Sequence, residues 1–114
     1  MRKLSETPLD PGDRAAIEEA VGVLRDVLPV EEIVLFGSKA RGDDDRESDI
    51  DILVLTERPV SRGERHAAVD AVYPIQLAHE VVISLVIVDS AAWRTGVLSV
   101  LPIRAEVESH GVAA

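Results

Sequence analysis

Cysteine is absent from this chain of 114 residues, which excludes a disulfide framework and any thiolate metal site. Aromatics are almost absent too: one Phe, one Tyr and one Trp leave little material for stacking nucleic-acid bases. Positive charge is scarce, with 12 Lys and Arg against 21 Asp and Glu and a formal net charge of −9. That balance disfavours general DNA binding through backbone phosphates. It does not exclude a phosphate-bearing small molecule, because a bound divalent cation reverses the local field. No apolar run approaches a membrane span, and the opening MRKLSETPLD has no apolar signal core. These features predict a cytoplasmic protein that does not engage a membrane.

What is present is ordinary for a globular chain: 46% hydrophobic and 29% charged residues. Length predicts a single domain over 1–114, with 1–9 as a flexible N-terminal segment. Asp10 followed by Pro11 reads as a helix start, and Ile17, Ala20, Val21, Leu24, Val27 and Leu28 recur at helical spacing until Pro29. Short apolar runs at 33–36, 49–56 and 81–89 read as strands. Ser61 with Glu64 has capping-box spacing and opens a helix to about His79, kinked or interrupted near Pro74. Ser90 caps a turn through Trp93, which anchors the last segment on the sheet. A final helix covers 98–110, with Gly111 just past its end. The order α, β, β, α, β, α predicts an α/β (α+β) fold, a mixed sheet with helices packed on it.

The stretch LFGSKARGDDDRESDIDILVL, 35–55, puts two glycines and six carboxylates between two apolar runs. Asp49 and Asp51 are two apart at a strand entry, so their side chains share a face, roughly 6.6 Å apart along the backbone. Paired hard-oxygen ligands suit Mg²⁺, which takes one or two carboxylates plus substrate phosphates. Gly37 allows close approach to a phosphate, and Ser38 reads as the N-cap of a short helical turn. Lys39 and Arg41 can add positive charge near a polyphosphate, and Gly42 turns the chain away. Singly, these features are common in turns and polar strand entries. The run Asp43 to Glu47 reads as a solvated loop, and its spacing does not fit an EF-hand. The combination carries the functional reading: Gly-Ser closes one strand, ten residues intervene, and Asp-x-Asp opens the next.

With Ala40, Arg41, Gly42 and Ser48 also in place, GSKARG followed by SDIDILV resembles the signature of the DNA polymerase β-like nucleotidyltransferase superfamily, in its minimal nucleotidyltransferase branch. The resemblance implies a nucleotidyltransferase fold and transfer of a nucleoside monophosphate, AMP from ATP, to a protein or RNA acceptor. It implies Asp49 and Asp51 as catalytic metal ligands for Mg²⁺ (or Mn²⁺), and Gly37, Ser38 and Arg41 as the residues that hold the nucleoside triphosphate. It also implies a helical partner of the HEPN type, with this chain as the antitoxin of a toxin–antitoxin pair.

One position departs from that pattern. The family's third carboxylate aligns with Ser84, and neither Glu80 nor Asp89 has the position and parity to replace it. A second function therefore stands beside the first: a nucleotidyltransferase-like binding subunit, without chemistry, that neutralises or scaffolds a partner. His66, His79 and His110 lie apart in sequence and predict no metal or acid–base role. Arg41-Gly42-Asp43 is read as a coincidental tripeptide.

Overall fold

The computed structural model describes residues 1–42, 49–96 and 102–114. The expected loop Asp43 to Glu47, the motif residue Ser48 and the 98–101 start of the last helix lie outside the described residues. Helix α1 spans Pro11–Val27, opened by the Asp10 carboxylate, which accepts from the Gly12 N–H at 2.9 Å. Strand β2 is Val30–Phe36 and runs directly into a five-residue helix, α2, Gly37–Arg41, closed by Gly42 in the left-handed region. Strand β3 is Ile50–Thr56, helix α3 Arg62–His79 and strand β4 Ile83–Asp89. Helices α4, Ser90–Arg94, and α5, Pro102–His110, follow β4, and Leu4–Glu6 forms a 3-10 turn near the start of the described residues.

Two two-residue strands escaped the sequence reading: β1, Arg2–Lys3, and β5, Val112–Ala113. The sheet order is β1-β5-β2-β3-β4. Strand β3 runs antiparallel to β2 and parallel to β4, so the sheet is mixed, as expected. The N-terminal segment is joined to the rest of the fold. Arg2 and Lys3 pair with Val112 and Ala113, Thr7 is buried, and the Arg14 guanidinium donates to the Leu4 and Thr7 carbonyls.

Strand parity sorts the core into two layers. Ile33, Leu35, Ile52 and Val54 pack with Ile17, Leu24, Ala68 and Val72, so α1 and α3 cover one face. Val34, Leu53 and Leu55 pack with Trp93 of α4 and Val107 of α5 on the other. Trp93 is the expected anchor, with the Arg104 guanidinium 5.1 Å from its ring centre. Strand β3, covered on both faces, explains the continuous apolar run ILVL.

One local choice, the cap of α4, differs from expectation. Asp89, not Ser90, caps α4, by accepting from the Ala92 N–H; the Ser90 hydroxyl instead donates to the Thr56 carbonyl at 2.8 Å. Helix α3 continues through Pro74. A proline there removes one helical hydrogen bond and costs about 3 kcal/mol in an isolated helix, so tertiary packing holds this helix together. Gly22 in the interior of α1 is also locally unfavourable, by about 1 kcal/mol relative to Ala.

Candidate active site

Strand pairing brings the two halves of the motif together. Phe36, the last residue of β2, pairs with Asp51 of β3, so the Gly37 corner stands beside the acid pair. Gly37 has φ +76°, and a Cβ there would lie 2.2 Å from Asp51 Oδ2. The left-handed backbone favours glycine, and a side chain there would also force the Asp51 carboxylate to move. The first N–H groups of α2 have no acceptor within the helix and lie at this corner.

Asp51 is half-buried and Asp49, just ahead of β3, is exposed. Burial pushes the Asp51 carboxyl above its usual range, the neighbouring Asp49 charge adds to this, the Arg41 guanidinium opposes it, and Glu106 adds a smaller push. The site therefore holds clustered negative charge, a donor set of hard oxygens that fits a divalent cation. Asp49 and Asp51 are the residues that could hold it.

Ser84 pairs with Asp51 across the parallel β3–β4 ladder, and its hydroxyl donates to Asp49 Oδ2 at 3.4 Å. The hydroxyl occupies the place expected for a third carboxylate. Glu80 closes α3 in a left-handed conformation and Asp89 caps α4 at the far end of β4, so neither substitutes. Among the described residues no cluster of three or more His, Cys, Asp or Glu is arranged to hold a metal.

The other motif residues divide. Arg41 remains at the site, ion-paired with Glu106 of α5. The Lys39 ammonium is buried and pairs with Asp13 of α1 at 2.8 Å, fixing α2 to α1. Phe36, not Ser38, is the N-cap of α2, and no side chain caps that helix; Ser38 falls at its second position. Sequence reasoning missed Glu106 and Arg2, whose guanidinium donates to the Ala40 carbonyl at 2.6 Å. Sequence separations of 65 and 38 residues leave no local signal for either contact.

Residues 17–105 match the nucleotidyltransferase domain family. The chain belongs to that family. A Methanocaldococcus jannaschii protein provisionally named a protein adenylyltransferase is 32% identical over 90 residues, 79% of this chain and 82% of that one. A crystal structure of a toxin–antitoxin with AMP-PNP contains a chain that is 26% identical, with a TM-score of 0.57 over 84% of this chain and 69% of that one. A crystal structure from Sulfolobus solfataricus, provisionally named a nucleotidyltransferase, shares the fold at 21% identity, with a TM-score of 0.50 over 79% of this chain and 84% of that one. The protein is thus a nucleotidyltransferase with a mixed five-stranded sheet. Among the described residues no helix is long and apolar enough to cross a membrane.

Proposed function

We propose that the chain is a cytoplasmic adenylyltransferase that moves AMP from ATP onto a partner protein, of the helical HEPN type, as the antitoxin of such a pair. The observation that carries this reading is the contact of the Gly37 corner with Asp51, which aims a phosphate-compatible turn and two carboxylates at one spot. The similarity to a provisionally named protein adenylyltransferase and to a chain of a toxin–antitoxin whose structure was determined with AMP-PNP supports the choice of AMP and of a protein acceptor.

Gly37 and Ser38 hold the triphosphate through the open N–H groups at the start of α2, and Arg41 adds positive charge beside it. Asp49 and Asp51 hold Mg²⁺, which when bound neutralises phosphate charge. An acceptor hydroxyl oxygen attacks the α-phosphorus; the bond to the bridging oxygen breaks, and pyrophosphate leaves. The hydroxyl proton passes to water, because the Ser84 hydroxyl is no base at neutral pH. Incubation with α-labelled ATP, Mg²⁺ and the adjacent gene's product should label that product, and Asp49→Asn with Asp51→Asn should abolish labelling in a folded protein. No label with any of the four nucleotides overturns the reading.

Ser84 favours a second reading, a subunit that binds and neutralises its partner without chemistry. The two separate on Ser84→Asp. A transferase limited by the missing carboxylate gains about 10²-fold or more in rate from a base facing Asp51. A binding subunit gains nothing and neutralises its partner equally well with the Asp pair removed.

A further inference from the structure

We propose that the cleft between α1 and α3 docks an amphipathic helix of a basic partner protein. The cleft measures about 700 Å³ and lies on the α1–α3 side of the sheet. Asp51 shares its strand parity with Leu53 and Leu55, which face α4 and α5, so the cleft is separate from the catalytic corner.

Two locally unfavourable residues border this one cleft. A Cβ on Gly22 would meet no atom within 4 Å, so the chain's own packing does not require glycine there. Pro74 interrupts the hydrogen bonding of α3 and lines the opposite wall. Gly22 keeps the α1 wall low, and neither residue improves its own helix, so both fit a cleft kept for a partner rather than for the fold. Val23 and Ile75 give an apolar floor. Tyr73 and Leu77, 58% and 63% exposed, lie beside Pro74 on α3 and extend the apolar surface outward.

Charge selects the occupant. Asp26 and, two helical turns away, Glu19 line the α1 wall, on a chain of net charge −9; the Glu19 carboxylate also meets His79 Nε2 of α3 at 2.7 Å, so Asp26 is the more open of the two acids. A second copy of this chain would bring its own excess of carboxylates to that rim. A helix with an apolar stripe flanked by Lys or Arg fills the floor and neutralises the rim. This deepens the partner half of the proposed function. Docking is measured without nucleotide, so it can fail while transfer stands, and transfer can fail while docking stands.

The probe is a fluorescein-labelled designed helix of about 18 residues, roughly five turns, with a leucine stripe flanked by lysines. Fluorescence anisotropy at physiological ionic strength should show micromolar binding by the wild-type chain, and no binding of the same helix with glutamate flanks. Gly22→Leu, and Glu19→Lys with Asp26→Lys, should each weaken binding about 10-fold or more, the loss expected for blocking an apolar anchor or reversing charge at a rim. Glu32→Lys with Glu57→Lys makes the same charge change at exposed positions elsewhere and should weaken it less than about threefold. Asp49→Asn with Asp51→Asn should bind like wild type. Gly22→Ala should raise Tm while weakening the peptide. Undiminished binding by both groove variants overturns the proposal, as does equal binding of a lysine helix whose leucines are scrambled. A wild-type dimer in sedimentation that Gly22→Leu dissociates also overturns it, by assigning the cleft to a second copy.

Discussion

Gly37 and Asp51 constrain each other, and the site's energetics follow from that contact. Gly37→Ala forces a side chain into a left-handed backbone and against Asp51 Oδ2. The strain should cost about 1–3 kcal/mol, a fall in Tm of roughly 4–8 °C per kcal/mol for a domain near this size. Nucleotide transfer should be lost with it; a variant of unchanged Tm would mean the corner is not as tight as described. Asp51 carries the opposite tension. Its charge is partly desolvated and faces Asp49 and Glu106, with Arg41 as partial compensation. Asp51→Asn keeps the shape and removes the charge, so it should raise Tm in chelator. Added Mg²⁺ should raise Tm of the wild type and not of the variant, because a ligand stabilises only the form it binds. A lower Tm for Asp51→Asn in chelator would contradict the repulsion argument.

Among the elements, the start of α3 has the most complete local specification. The Ser61 hydroxyl accepts from the Glu64 N–H at 3.1 Å, and Glu64 Oε1 accepts from the Ser61 N–H at 3.0 Å. The Arg58 guanidinium and then the Ser61 N–H hold the Glu64 carboxyl down to about 2, against an ordinary value of 4.5. A depressed folded-state value contributes stability above the ordinary value and loses it as pH falls through the depressed one. The Tm gap between wild type and Glu64→Gln should therefore be open near neutral pH and close between pH 4.5 and about 2. Ser61→Ala should cost about 1 kcal/mol across the same range, since its hydroxyl does not titrate there. A Glu64 gap that stays constant to pH 2 would mean that the carboxylate's charge contributes nothing.

This cap was legible because its signal is confined to four residues, Ser61 to Glu64. The same holds for Asp10 before Pro11 and for the Gly37 corner, where Gly-Ser and Asp-x-Asp name the strand ends that meet. The strands β1 and β5 were not legible, because two residues display no periodicity. The destinations of Lys39 and Arg41 were not legible either. Both are basic residues of one short motif, and only the packing of α1 and α5 sends one to Asp13 and the other to Glu106. Ser84 is the intermediate case: strand parity placed it opposite the acids, and the parallel register of β3 and β4 put it directly beside Asp51.

Across the whole molecule, the first and last described strands converge behind the Gly37 corner. Strand β5 inserts between β1 and β2, with Val112 fully buried beside Leu35. Strand β1 closes that edge, and its Arg2 reaches across to the Ala40 carbonyl in the last turn of α2. Arg14 ties the following turn to α1, which also holds α2 through Asp13 and Lys39. The corner helix is thus clamped from two sides by elements far from it in sequence. Arg2→Ala removes one clamp, a hydrogen bond from a charged but largely solvated donor, and should cost about 1 kcal/mol in unfolding experiments. Its effect on function should be larger than on stability, because a slight shift of α2 displaces the N–H groups proposed to hold the triphosphate. Nucleotide affinity, measured by calorimetry with a non-hydrolysable ATP analogue and Mg²⁺, should fall severalfold in Arg2→Ala. It should fall further when residues 1–6 are deleted. Unchanged affinity in the deletion would show that the corner holds its shape on α1 alone and that the N-terminal strand serves the sheet edge without serving the site.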